Sequence, residues 1–304
     1  MNNSIITGAT GFLGSWLALE LLENNYEVTV VARNKSKLLP EILKNCFVVE
    51  SSLEDITAYD FKNKFADLFF HLAWEGVSST KKNSFDIQLN NIRNSLRILS
   101  VAKDIGCNSF IATGTVAEYA LCDKVMDFRE HQCPNDLYGA SKVSAYYYME
   151  VLARQLGMPF IWTIVPSTYG ERRDDKNLIT YTIKSLINKS KPSFGNLEQM
   201  WDFMYVKDVV RALRFIGEKG QRNKVYGIGS GIYRPLKDYV SIIRDLIDPN
   251  LPLGIGDIDS MNKSSIGSCV NNYDLKKDTG FNPLYSFEDG IKRTIDYFRN
   301  TSEY

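Results

Sequence analysis

A tyrosine and a lysine four residues apart are the pair in this 304-residue chain best placed to move a proton, in the run Tyr138-Gly139-Ala140-Ser141-Lys142. On a helix, residues at that spacing share a face. A phenol titrating near about pH 10 exchanges protons poorly at neutral pH. An ammonium one turn away favours the phenolate and lowers that pKa. The same lysine can hold a ribose hydroxyl. Upstream, the apolar run at 109–112 ends in two hydroxyls, Thr113 and Thr115. A hydroxyl at the C-terminal end of a buried strand faces the ligand crevice of an open α/β sheet. Histidine chemistry has little to build on, with only His71 and His131. No C-x-x-C pair occurs among Cys46, Cys107, Cys122, Cys133 and Cys269, so the sequence predicts reduced thiols and no metal centre.

A second pattern, Gly8-Ala9-Thr10-Gly11-Phe12-Leu13-Gly14, lies between an apolar strand at 4–7 and a helical pattern carried by Trp16, Leu17, Leu19, Leu21 and Leu22. Glycine allows the sharp turn and lets backbone approach a pyrophosphate, while the helix behind it offers free N–H groups and a positive dipole end. The end of the next strand selects the cofactor. An NAD enzyme usually carries Asp or Glu there for the adenosine ribose. Here that place is Ala32, followed by Arg33, Lys35 and Lys37. With no carboxylate to repel a 2′-phosphate and an arginine to pair with it, NADP(H) is expected over NAD(H).

These residues need a scaffold. Apolar runs without alternation at 28–31, 47–49, 68–72, 109–112 and 160–165 read as strands covered on both faces. Helical patterns lie between them, including 92–103 and 141–156. Strand–helix alternation predicts an α/β fold with a Rossmann-type doubly wound parallel sheet. Residues 1–166 are assigned to the cofactor-binding domain. Residues 167–304 form mainly a smaller substrate-binding region, with some segments returning to the first. Formal net charge is zero, so a nucleic-acid partner has no bulk electrostatic support. No apolar run reaches the ~20 residues of a membrane span, and the first residues do not read as a signal peptide. A cytoplasmic protein is expected.

In this order the motifs resemble an extended short-chain dehydrogenase/reductase of the NAD-dependent epimerase/dehydratase type. The matching runs are the glycine loop, Leu68-Phe69-Phe70-His71-Leu72-Ala73, Asn90-Asn91-Ile92, the Thr115 strand, Tyr138-x-x-x-Lys142, Tyr169-Gly170, Asp202-Phe203-Met204-Tyr205-Val206-Lys207-Asp208 and Thr279-Gly280-Phe281-Asn282-Pro283. The resemblance implies catalysis by Thr115, Tyr138 and Lys142, with Thr113 the alternative hydroxyl. It implies cofactor contacts from Gly8, Thr10, Gly11, Phe12, Leu13, Gly14, Arg33, Ser52, Leu53, Leu72, Ala73, Asn91, Thr113, Tyr138, Lys142 and Pro166. Substrate contacts are expected from Trp74, Thr115, Ser167, Arg172 and Trp201. His71 is expected to pack beside the cofactor and not to transfer protons. Asn91 serves either as a backbone tie or in catalysis. Helices 92–103 and 141–156 resemble the family's four-helix dimer pair, so a homodimer is expected, with Tyr146, Tyr147 and Met149 as candidates for the interface.

Departures from the family pattern narrow the reaction. Related 4,6-dehydratases carry Asp-Glu after the catalytic threonine, because eliminating water needs a further acid and base. Here those places are Val116 and Ala117, with Glu118 one position later and expected to point away. Arginines that hold a diphosphate in related enzymes are replaced by Trp201 and by a position near Met261, leaving Arg172, Arg173 and Lys263 as candidates for phosphate contact. Trp201 either stacks on a base or sugar or packs in the core. The runs 199–203 and Gly229-Ser230-Gly231 are most similar to sugar-nucleotide 4-ketoreductases of the CDP-abequose and CDP-paratose synthase kind. The expected reaction is NADPH-dependent reduction of a nucleotide-linked 4-keto-6-deoxysugar for surface-polysaccharide synthesis. The alternatives are a sugar-nucleotide 4-epimerase with bound NAD and a non-catalytic cofactor-binding scaffold.

Overall fold

Strands that are apolar on both faces must be covered on both, and the computed structural model meets this requirement with helices above and below one parallel sheet. It describes residues 2–61, 65–77, 81–120, 131–173, 175–259 and 268–301. The first six strands are β1 (Asn3–Thr7), β2 (Glu27–Ala32), β3 (Phe47–Glu50), β4 (Leu68–His71), β5 (Ser109–Thr115) and β6 (Phe160–Val165). Seven later ones are short: β7 (Ser167–Tyr169), β8 (Ser193–Phe194), β9 (Met200–Trp201), β10 (Phe203–Tyr205), β11 (Lys224–Gly227), β12 (Arg234–Pro235) and β13 (Gly254–Ile255). The α-helices are α1 (Phe12–Glu23), α2 (Pro40–Asn45), α3 (Phe85–Asp104), α4 (Leu137–Leu156), α5 (Leu178–Ile187), α6 (Val206–Lys219), α7 (Leu236–Ile247), α8 (Tyr273–Thr279) and α9 (Phe287–Thr301).

Seven strands form the main sheet in the order β11-β6-β5-β4-β1-β2-β3, with every pairing parallel. The chain runs outward from β1 to β3, then returns to β4 on the other side of β1. That reversal opens a crevice at the C-terminal ends of β1 and β4, where such sheets bind ligands. Gly8 and Leu72 follow directly on those ends. β11 comes from the second half of the chain and extends the sheet beside β6, with Lys224 opposite Ile161.

One face buries Leu17 and Leu21 of α1 with Val209, Leu213 and Ile216 of α6. The other buries Ile98, Leu99 and Ala102 of α3 with Ala145, Met149 and Ala153 of α4. A third core, built from Tyr169, Tyr205, Tyr239, Phe287 and Ile291, joins the short later strands to α5, α7 and α9. Two buried carboxylates tie these parts together. Asp202 accepts from Ser230 N and Oγ, and Asp208 accepts from Leu284 N and Tyr285 N.

Some expectations require correction. Cys46, Cys107 and Cys269 are free, but Cys133 is disulfide-bonded, because spacing along the chain does not show which sulfurs a fold brings together. Cys122, Met261 and Lys263 lie outside the described residues. Met149 is fully buried inside the monomer, and Tyr146 packs on Phe160 and Trp162. Tyr147 instead faces outward with Tyr148 and Val151. Among the described residues, no helix is long and apolar enough to cross a membrane, and no cluster of three or more His, Cys, Asp or Glu side chains could hold a metal.

Candidate functional site

The glycine loop closes on itself at the mouth of the crevice. Gly8 has φ +85°, a conformation that favours glycine. A Cβ there would also stand 2.8 Å from Ala73 N. Gly11 N donates to Gly8 O at 2.9 Å, and a Cβ on Gly14 would overlap Gly8 O. Gly11 caps α1 without any side-chain hydrogen bond. The first-turn N–H groups are therefore left to an anion, as a dinucleotide pyrophosphate would require.

Two adjoining cavities meet at Gly8, Gly11, Leu72 and Trp74. The larger, about 1000 Å³, is lined by Thr10, Ala32, Arg33, Ser51, Ser52, Leu53, Ala73, Glu75 and Asn91. The smaller, about 410 Å³, is lined by Phe12, Leu13, Gly14, Thr113, Thr115, Tyr138, Lys142, Pro166, Thr168, Arg172 and Arg173. A nicotinamide dinucleotide fits this pair. Its adenosine would occupy the larger cavity, its pyrophosphate the loop they share, and its nicotinamide the smaller one.

Tyr138 and Lys142 lie in the first two turns of α4, where Asp136 caps the helix by accepting from Gly139 N. Both are almost completely buried. Burial pushes the Tyr138 phenol up to about 12; the Thr115 side chain opposes this, while Glu118 and Asp136 add to it. The expected lowering by Lys142 is not what governs this phenol. Lys142 is turned aside, donating from Nζ to Thr113 O at 2.6 Å and standing 3.8 Å over the Trp74 ring. Burial pulls the lysine ammonium down, and the charge of Glu118 holds it up.

The neighbours that aim these groups were partly legible. Asn91 accepts from Glu75 N at 3.0 Å and donates to Glu75 O at 2.8 Å, so it acts as a backbone tie while also lining the larger cavity. That tie fixes the segment carrying Trp74, whose Nε1 donates to the buried Gln88 at 2.9 Å. His71 sits between Thr7 Oγ1 at 2.8 Å and Ser95 Oγ at 3.0 Å. Burial lowers its pKa to about 3, so it is a neutral link between β1, β4 and α3. Arg33 is exposed at the end of β2, with Nη1 3.4 Å from Glu75. Lys35 pairs with Glu50 at 3.2 Å.

Other predicted contacts separate. Arg173 is engaged with Asp175 and Thr168 O. Arg172 stacks over Trp16 with φ +69°, and its buried Nη1 has no partner. Ser167 lines neither cavity, because β7 pairs it with Phe203 of β10 and turns Thr168 inward instead. Trp201 lines neither as well. β9 pairs it with Arg234, and its ring lies 6.2 Å from Phe203 against the third core. Sequence reasoning passed over Gln88 and Trp162 and dismissed Glu118. The carboxylate does turn away from the cavity, but into the core, where it accepts from Thr115 N at 2.8 Å.

Comparison with known proteins agrees with this geometry. The model of the NAD dependent epimerase/dehydratase family matches residues 4–229. A trifunctional UDP-glucose 4,6-dehydratase/UDP-4-keto-6-deoxy-D-glucose 3,5-epimerase/UDP-4-keto-L-rhamnose-reductase of Arabidopsis thaliana is 25% identical over 320 residues, covering 99% of the chain. The match takes in 48% of the plant protein, so the chain spans about half the length of that relative. Among solved structures, UDP-glucose 4-epimerase of Thermotoga maritima with UDP-glucose is 26% identical, with a TM-score of 0.84 and coverage of 99% of the chain and 100% of the epimerase. UDP-glucuronic acid 4-epimerase of Bacillus cereus, with UDP-glucuronic acid and NAD, shares the fold at a TM-score of 0.86 and 20% identity, over 98% of the chain and 99% of the epimerase.

Proposed function

Because the chain belongs to the NAD dependent epimerase/dehydratase family, we propose that it is an oxidoreductase acting on a nucleotide-linked sugar, and specifically an NADPH-dependent reductase of a 4-keto-6-deoxysugar. The observation that carries this reading is the convergence of Thr115, Tyr138 and Lys142 on one cavity that opens, across the glycine loop, onto a second one lined by Arg33. A bound nicotinamide supplies the hydride that reduces the sugar carbonyl.

This chain's residues do the rest. The buried phenol of Tyr138 stays protonated at neutral pH and donates its proton to the carbonyl oxygen as negative charge develops there. Thr115 hydrogen-bonds and orients that oxygen. Lys142 releases Thr113 O or shares its remaining protons with the ribose, steadied by the Trp74 face. The first turn of α1 holds the pyrophosphate, and Arg33 exchanges Glu75 for the 2′-phosphate. Arg172, with an unpartnered buried Nη1 beside the glycine loop, is the proposed phosphate contact in place of the missing arginines. Val116 and Ala117 leave a dehydratase without its acid and base. The Arabidopsis relative, whose name includes a 4-keto-sugar reductase, is compatible with this assignment.

A second reading, a sugar-nucleotide 4-epimerase that keeps NAD bound, is favoured by the full-length likeness to the Thermotoga epimerase and by the Arg33–Glu75 pair, which engages the arginine. The deciding experiment measures NADPH and NADH oxidation by purified protein with CDP-, dTDP-, GDP- and UDP-linked 4-keto-6-deoxysugars. Oxidation of NADPH with one donor supports the reductase. Interconversion of 4-hydroxy sugars without added cofactor overturns it in favour of the epimerase. Residues 1–166 are proposed as the cofactor-binding domain and 167–304 as mainly the substrate-binding region. A homodimer through α3 and α4 is also proposed, supported by the outward-facing Phe85, Leu89, Tyr147, Tyr148 and Val151.

A further inference from the structure

Three described carboxylates are essentially fully buried: Glu118, Asp202 and Asp208. A buried charge is retained only when hydrogen bonds and opposite charge compensate it. For Asp202 and Asp208 the compensation is local and structural, since both gather backbone donors from residues that line neither cavity. Glu118 is different. It sits directly behind the residues proposed to do the chemistry.

Its Oε1 accepts from Thr115 N at 2.8 Å, while Thr115 Oγ1 accepts from Ala117 N at 3.3 Å, a reciprocal cap on the turn that follows β5. Oε2 accepts from Trp162 Nε1 at 3.3 Å, and the Gln132 side chain is a further partner. Space for the carboxylate is made by Gly114, where a Cβ would overlap both Glu118 Oε1 and Trp162 Nε1. Gly114, Glu118 and Trp162 therefore form one fitted unit on the core side of β5.

Lys142 approaches the same unit from α4, with a single hydrogen bond to Thr113 O and with aromatic faces of Trp74 and Trp162 at 3.8 and 5.8 Å. We propose that Glu118 is a positioning residue of the reaction: from the core it fixes the backbone of Thr115, and by accepting from the Trp162 ring that Lys142 also approaches it sets the charge that the lysine meets. This inference rests on the reading in which Thr115, Tyr138 and Lys142 act on the substrate.

The electrostatics agree in direction. Burial drives the Lys142 pKa down and the Glu118 pKa up, and each charge opposes the shift of the other. The titratable groups facing this pair are Tyr138 and Tyr146 of α4, Tyr119 of the turn and His71 of β4, with Asp136 and Arg173 acting on Tyr138. Among the described groups, Glu118 is the one whose charge opposes the effect of burial on Lys142.

The test follows the side-chain ε-carbon signals of labelled lysines by NMR in the full chain, without cofactor or substrate. Lys142→Met assigns the signal. The wild type is expected to show one lysine titrating well below the usual range. Glu118→Gln, which keeps an acceptor for Thr115 N but removes the charge, is expected to move that titration down by about one pH unit. An unmoved titration would overturn the proposal. If Glu118→Gln does not fold, Trp162→Phe removes one donor from the carboxylate. It is expected to shift the same signal in the same direction by less, and no shift there overturns the proposal equally. On any accepted sugar substrate, Glu118→Gln is expected to move the alkaline limb of the kcat profile to lower pH. A wild type that reduces no sugar nucleotide refutes the assigned reaction, while the lysine titration still decides the pairing.

Discussion

Replacing Tyr138 by phenylalanine removes a single oxygen and separates chemistry from architecture. The ring is 8% exposed and packs edge-on against Trp74 at 6.4 Å, and phenylalanine keeps that packing. What is lost is a buried hydroxyl interacting with Thr115, which retains its bond from Ala117 N. One such hydrogen bond is worth about 1 kcal/mol. In a chain of this length that shifts Tm by about 2 °C. Tyr138 does not line the larger cavity where adenosine and pyrophosphate are proposed to bind, so NADPH affinity is expected to stay within about threefold. The chemical step loses its proton donor. General acid catalysis contributes about 10²–10⁴-fold, or about 3–5 kcal/mol of barrier. The assay combines a thermal melt, NADPH titration by fluorescence and turnover of the accepted sugar nucleotide. Turnover within tenfold of wild type, with the melt and cofactor affinity preserved, would refute the assignment of Tyr138 as the acid.

Gly14→Ala places a methyl group on Gly8 O, so the loop must shift; a cost of about 1–3 kcal/mol and at least tenfold weaker NADP binding are expected, read by melting and calorimetry. Arg33→Ala is expected to weaken NADPH binding about tenfold while leaving NADH unchanged, and Glu75→Gln to strengthen NADPH binding; equal effects on both cofactors would remove Arg33 from the 2′-phosphate site. His71 is neutral when folded because burial depresses its pKa to about 3, while the unfolded chain takes up a proton near about 6.5. Its contribution is therefore complete above that unfolded value and is lost as pH falls toward the folded one. Between pH 7 and 5 the wild type is expected to lose about 2 kcal/mol more than His71→Asn, measured by denaturant unfolding.

Much of the sheet was legible because its strands are continuous apolar runs. The runs at 28–31, 47–49, 68–72 and 160–165 correspond to β2, β3, β4 and β6 within a residue or so. The helix read from 92 begins at Phe85, because its first two turns are mostly polar and carry little periodic signal. The helix read from 141 begins at Leu137, where the Asp136 cap supplies the start that apolar spacing did not. At the site, glycine spacing and Y-x-x-x-K marked residues that do line the two cavities. Ser167 and Trp201 line neither cavity, since alternation along two short strands and their pairing partners set where those residues sit.

Local spacing was enough to mark the glycine loop, the Tyr138–Lys142 face and the strand end at Thr115, because each depends on neighbours within a turn or a strand. Tertiary structure alone decided the rest. Lys142 is drawn to Thr113 O and the Trp74 face, Tyr138 is driven toward a protonated phenol, and Glu118 is folded into the core behind Thr115. Those outcomes depend on burial and on groups brought together from β4, β5, β6 and α4. Desolvation is a property of the assembled neighbourhood, so no spacing rule along the chain encodes it.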